Sequence, residues 1–148
     1  MIRHIWSVLC SRALIDRQTN NMSLFEVLEA IQVLTNAPPG DPAILPFEGT
    51  VATLWARERP DQRVSGQMRI RLVAPDGKEL GAFRAQVNLA DVSRTRTIST
   101  ISGLPFAGGG TYEFEVSWRL QEADNWTVVV SLPLDISIQV DPALGQPS

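Results

Sequence analysis

His4 and Cys10 are the chain's single histidine and single cysteine, so any nucleophile-and-base pair has to draw on them. On one extended strand they share a face but stand about 20 Å apart at ~3.3 Å per residue, too far to touch. They read as a terminal imidazole and a packed thiol. A calcium site would need about six to eight converging oxygens. Asp41, Asp61, Asp76, Asp91 and Asp124 each stand alone in a turn-forming stretch and never as Asp-x-Asp. Zinc lacks His and Cys ligands. No catalytic residue, metal or cofactor is therefore expected. Gly108-Gly109-Gly110 leads into a strand, without the helix N-terminus or the Gly-Lys-Ser/Thr sequence of a phosphate cradle, and reads as a flexible turn.

Two other residue types could bind without reacting. Four tryptophans raise a glycan platform, in which exposed aromatic faces stack on sugar rings. Trp118 and Trp126 fall on the apolar faces of their strands and are expected in the core. Trp6 shares a face with His4, Val8 and Cys10, and Trp55 lies in a doubly apolar strand. The arginines are the second type. Residues 57–96 carry a net charge of +4 and the remainder −7, which together make the chain's −3. Arg69, Arg71 and Arg84 are expected on one sheet face, with Arg94 and Arg96 extending the patch from the next strand. Such a cluster would attract carboxylates or phosphates. Arg69 directly opposite Arg84 would be a like-charge pair that an anionic partner could relieve.

The elements that must position these residues are strands. After the glycines, Tyr112, Phe114, Val116, Trp118 and Leu120 alternate with Thr111, Glu113, Glu115, Ser117 and Arg119, the period-two pattern of a half-buried strand. Trp126, Val128, Val130, Leu132, Leu134, Ile136, Ile138 and Val140 form a second alternation. Earlier, residues 3–16 and 23–33 are predicted to pair across Asp16-Arg17-Gln18-Thr19-Asn20-Asn21. Ser23 with Glu26 would also suit a helix capping box, and the strand is preferred because a helix would leave the first arm's edge unpaired. Residues 36–42, rich in proline, read as a connection between sheets, and Phe47–Arg57 as a central strand. Residues 65–74 and 80–90 should form a hairpin with Asp76-Gly77 as a two-residue type I′ loop, so that paired positions sum to 153. Residues 93–102, rich in Thr and Ser, read as an edge strand.

The expected fold is a single-domain, all-β antiparallel sandwich of about eight strands, immunoglobulin-like or C2-like in general architecture. It spans residues 1–140, with 141–148 as a flexible tail. A chain of 148 residues, 44% hydrophobic and 20% charged, can bury such a core without a disulfide or metal. The acidic balance argues against nucleic-acid binding. No stretch approaches the ~20 apolar residues of a membrane span, and the interrupted run Ile5-Trp6-Ser7-Val8-Leu9-Cys10 does not suit a signal or lipoprotein peptide. A lone cysteine fits a reducing compartment, so a cytoplasmic protein is expected.

Ile101-Ser102-Gly103-Leu104-Pro105-Phe106 and Gly110-Thr111-Tyr112-Glu113-Phe114, with Cys10, Asp16, Ser23-Leu24-Phe25 and Ile31, resemble a family of small bacterial β-sandwich proteins known as a domain of unknown function. The resemblance spans nearly the whole chain and implies the fold, with no activity or catalytic residues. Family members carry a glycine in the turn where this chain has Thr19-Asn20-Asn21. Gly110-Thr111-Tyr112 is similar to the tyrosine corner of immunoglobulin-like sandwiches, in which the phenol bonds nearby backbone. The functional expectation is a non-catalytic binding or assembly module that engages a protein partner or itself through a sheet face or edge. The alternatives are an enzyme with a carboxylate and arginine site, and a glycan-binding module.

Overall fold

In the computed structural model, which describes residues 1–40, 43–141 and 143, nine strands form two sheets. One sheet has the order β2-β1-β4-β7, from β1 (Ile2–Ile15), β2 (Met22–Val27), β4 (Ile44–Arg57) and β7 (Arg94–Pro105). The other has the order β3-β9-β8-β5-β6, from β3 (Ala30–Thr35), β5 (Val64–Val73), β6 (Glu79–Leu89), β8 (Gly110–Arg119) and β9 (Thr127–Val140). This all-β, two-sheet arrangement is consistent with a β-sandwich. The last stretch of the expected tail and the Asp41-Pro42 part of the proline-rich connection lie outside the described residues.

The alternation of β8 holds on its inner side as far as Val116, whereas Ser117 and Arg119, expected on the wet face, are buried. Tyr112, Phe114 and Val116 are fully buried beside Met68 and Ile70 of β5 and Val51 and Trp55 of β4, while Glu113 is exposed. Phe47 and Phe114 stack across the two sheets with ring centroids 6.3 Å apart. The Tyr112 phenol donates to the Gly108 carbonyl and accepts from the Ala107 N–H, both at 2.7 Å, which is the backbone clasp expected from the tyrosine-corner likeness.

Several expectations need correction. The stretch 23–33 is two strands, not one, which raises the count from about eight to nine. Glu26 adopts a left-handed φ of 54°, and the chain crosses between sheets at Leu28-Glu29. β2 pairs β1 in the four-stranded sheet, whereas β3 pairs β9 in parallel, so the fold is not wholly antiparallel. Local periodicity could not show this, because partner and direction belong to distant residues.

The β5–β6 hairpin keeps the expected register by a different route. The turn is a three-residue loop, Pro75-Asp76-Gly77, with Ala74 N–H bonding Lys78 O at 2.8 Å and Gly77 alone at positive φ, 87°. Pro75 presets the first turn position and the left-handed glycine follows, the loop that usually carries a bulge. A register shift falls between Val73↔Glu79 and Leu72↔Gly81, and the extra residue Leu80 restores a sum of 153 from Leu72 to Val64.

Two more bulges re-aim side chains. Between His4 and Trp6 the β1–β4 register slips, so His4 lies opposite Trp55 and Trp6 opposite Leu54. These two positions therefore face opposite sides of the sheet, and the expected shared face of His4, Trp6, Val8 and Cys10 does not exist. Between Val116 and Ser117 the β8–β9 register slips past Val129. Val128 then points outward, 53% exposed, and Trp126 leaves the core, contrary to expectation. Trp118 remains on the inner side but is only half-buried.

β7 is an edge strand, as its Thr/Ser-rich sequence suggested, but it is longer than 93–102 and belongs to the four-stranded sheet. This sheet curls across its own outer face. β2 and β7 are its two edges, yet the β1–β2 turn reaches the start of β7, where Arg96 Nη2 donates to Asn20 Oδ1 at 2.8 Å.

Candidate functional site

The five expected patch arginines divide between two places. Arg69 and Arg71 on β5 and Arg84 on β6 project from the outer face of the five-stranded sheet, with Arg69 directly opposite Arg84. Arg94 and Arg96 lie on the other sheet and do not extend that patch. Sequence neighbours had suggested that the strand after β6 would pair with it. Instead, the chain crosses to β4 at that corner.

The like-charge pair is relieved within the molecule. The guanidiniums of Arg69, Arg84 and Arg119 lie 4.7, 5.4 and 4.2 Å from the centroid of the Trp126 ring, where the negative face of the indole attracts cations. Glu122 stands 3.7 Å from Arg84 and 3.3 Å from Arg119. Arg71 lies between Glu115 at 3.4 Å and Glu79 at 3.6 Å. Arg119 is 7% exposed and also bonds Gln67 Oε1 at 2.9 Å and the Glu122 carbonyl at 3.0 Å. Burial, followed by the neighbouring charge of Arg71, lowers the pKa of Arg69. Sequence reasoning missed both Arg119 and Trp126 as members. Arg119 was legible as an odd, polar position on β8, whereas Trp126 was hidden by the bulge at Val129.

Arg94 and Arg96 contribute to a different feature, a cleft of about 640 Å³ between the β1–β2 turn and the ends of β4 and β7. Its walls include Trp6, Leu54, Asn20, Asn21, Arg94 and Arg96. The turn that forms one wall is locally specified. The Asp16 carboxylate accepts from Gln18 and Thr19 N–H groups at 2.8 and 2.9 Å, and Asn20 N–H bonds the Asp16 carbonyl at 2.8 Å. Those N–H bonds stabilise the carboxylate and lower the Asp16 pKa. Asn20 takes φ of 59°, the left-handed geometry that asparagine tolerates better than most side chains.

The opposite wall is held by Arg57, whose Nε and Nη2 donate to the Leu89 and Ala90 carbonyls at 2.8 and 2.9 Å, while its own N–H bonds Ser93 O at 3.0 Å. That anchors the corner from which Arg94 begins. Arg94 is exposed and Arg96 half-buried, and neither makes an ion pair among the described residues. No carboxylate lines the cleft among the described residues. Sequence reasoning did not place Trp6 with Arg94 and Arg96, because the curl that unites them is a tertiary feature.

The β1 bulge puts His4 and Cys10 on opposite faces of the sheet, not on the expected shared face. Ring burial lowers the His4 pKa. Its Nε2 lies 2.8 Å from Ser7 Oγ, which lies 2.8 Å from Thr53 Oγ1, and its ring meets Trp55 edge-on at 5.6 Å. Cys10 is buried, which raises its thiol pKa. Among the described residues no group of three or more His, Cys, Asp or Glu is arranged to hold a metal ion.

No protein-family model matches the chain, and no curated protein matches it.

Proposed function

We propose that the chain is a non-catalytic binding or assembly module, an immunoglobulin-like sandwich that engages a protein partner or a second copy of itself along β7. The observation that carries this reading is the β7 edge. Among the described residues this strand pairs with β4 alone, and Ile98 is 41% exposed in the middle of it. The open side of an edge strand of this length offers a row of backbone donors and acceptors to an added strand, with side-chain contacts supplying selectivity. The architecture is supported by the Tyr112 clasp and by the parallel pairing of an early strand, β3, with the last one. The resemblance to the bacterial β-sandwich family agrees with this reading and adds no activity to it. The single buried thiol suits a reducing cytoplasm.

The test is capture of partners from the native host, followed by amide hydrogen exchange on the isolated complex. Slower exchange along β7 is expected, with Ile98→Lys losing the complex while keeping the monomer's melting temperature. Unchanged exchange of the β7 amides in the complex would remove the edge from the interface.

A further inference from the structure

We propose that the cleft between the β1–β2 turn and the β7 start is a binding site for an acidic sugar, a hexose-sized ring that carries a carboxylate or a phosphate. The proposal goes beyond the edge reading and does not rest on it. Three observations converge. First, Arg94 and Arg96 enter the cleft from alternate outer-face positions of one strand and have no carboxylate partner among the described residues, unlike Arg63, Arg71, Arg84 and Arg119. Among the described residues, their one side-chain hydrogen bond is from Arg96 to the neutral Asn20 amide. Two guanidiniums so placed favour an anion with forked oxygens.

Second, Trp6 forms part of the wall, and the bulge at Ile5 is what turns it to this side of the sheet. An indole presents a broad apolar surface with a negative face, which suits the C–H groups of a sugar ring. Third, Thr19, Asn20, Asn21 and Ser93, residues with hydroxyl and amide groups, line the same space. They fit a ligand with many hydroxyls better than a flat aromatic base, which would need a second stacking surface. The volume, about 640 Å³, falls within the range usual for small-molecule sites.

The wall is also preorganised. The Asp16 bonds hold the turn, and Arg57 holds the Ser93 corner, so little ordering is left to occur on binding.

Calorimetric titration of the whole chain with glucuronate, glucose 6-phosphate, glucose, inorganic phosphate and AMP tests the proposal. Saturable binding is expected for glucuronate, glucose 6-phosphate or both, and the comparison tells which anion the site takes. Glucose and inorganic phosphate should each bind at least about tenfold more weakly, since each lacks one half of the recognition. Arg94→Gln/Arg96→Gln should weaken the acidic sugar about ten- to hundredfold, the usual loss for charged hydrogen bonds. A melting curve checks that the variant is folded. If it is not, salt titration of the wild type replaces it, with acidic-sugar binding expected to fall as ionic strength rises. The proposal is overturned by no saturable binding of either acidic sugar, by phosphate or AMP binding as tightly, or by affinity that neither the substitutions nor salt reduces. None of these outcomes bears on the β7 edge, which is tested by Ile98→Lys.

Discussion

Tyr112 shows how much one hydroxyl can hold in place. Its phenol is buried and engages Gly108 O and Ala107 N together, which fixes the loop that turns the chain into β8. Tyr112→Phe leaves that N–H and C=O without their partner, so a loss of about 1–3 kcal/mol is expected in urea unfolding. A loss under ~0.5 kcal/mol would mean that water replaces the phenol at no cost. His4 makes a pH prediction. Its folded pKa is lowered by burial, so as pH falls below the ordinary 6.5 the unfolded state takes up the proton first. Stability is therefore intact above 6.5, falls below it, and reaches its full loss once pH passes the folded pKa. His4→Gln should flatten that limb of the stability profile, and an unchanged slope would assign the limb to other groups. Asp16 acts in a separate window. Its carboxylate is favoured in the folded turn, so its contribution is present above 3.8 and is lost below it.

At the scale of elements, bulges decide what each strand presents. The extra residue at Val129 turns β9 so that Trp126 leaves the core and comes to lie under three arginines. Trp126→Ala is expected to destabilise by about 2 kcal/mol, because each cation–π contact contributes roughly 0.5–1 kcal/mol at a partly exposed site. It should also expose the Arg69–Arg84 repulsion, so added salt should stabilise the variant more than the wild type. Equal salt responses would mean that Glu122 alone compensates the charges. On the inner side of the same sheet, Phe114 is fully buried against Phe47. Phe114→Ala should cost about 3–5 kcal/mol through lost transfer energy and the cavity left behind. Gly66 allows no side chain at all, since an added Cβ would stand 2.6 Å from the Arg119 carbonyl oxygen.

For the whole molecule, surface charge and exposed edges point to different faces. The arginines of the five-stranded sheet are compensated by Trp126, Glu79, Glu115 and Glu122, whereas the β7 edge of the other sheet carries Ile98, with Arg94 and Arg96 in no ion pair among the described residues. Sedimentation at low and high ionic strength separates the two. Any self-association should survive Arg69→Glu/Arg84→Glu and be lost in Ile98→Lys. Loss with the arginine variant alone, under conditions where it remains folded, would return the interface to the five-stranded sheet.

What the sequence determined by itself was local. Alternation over 111–120 identified a strand and its buried side, because side-chain period follows from extended backbone alone. The 153 register of β5 and β6 was also legible, since a short turn brings two alternating runs face to face and burial rejects a one-residue slip. Asp16 and Asn20 likewise mark a turn by their own chemistry. What only the tertiary structure decided was everything set by distant partners. The split of residues 23–33 between two sheets, the parallel β3–β9 pair and the separation of Arg94 and Arg96 from Arg69, Arg71 and Arg84 depend on which edge was free to pair. The bulges at Ile5 and Val129 and the curl that carries Asn20 to Arg96 arise because packing two twisted sheets fixes side-chain direction only once both are in place. The cleft exists only as a product of that curl, between residues as far apart in the chain as Trp6 and Arg96.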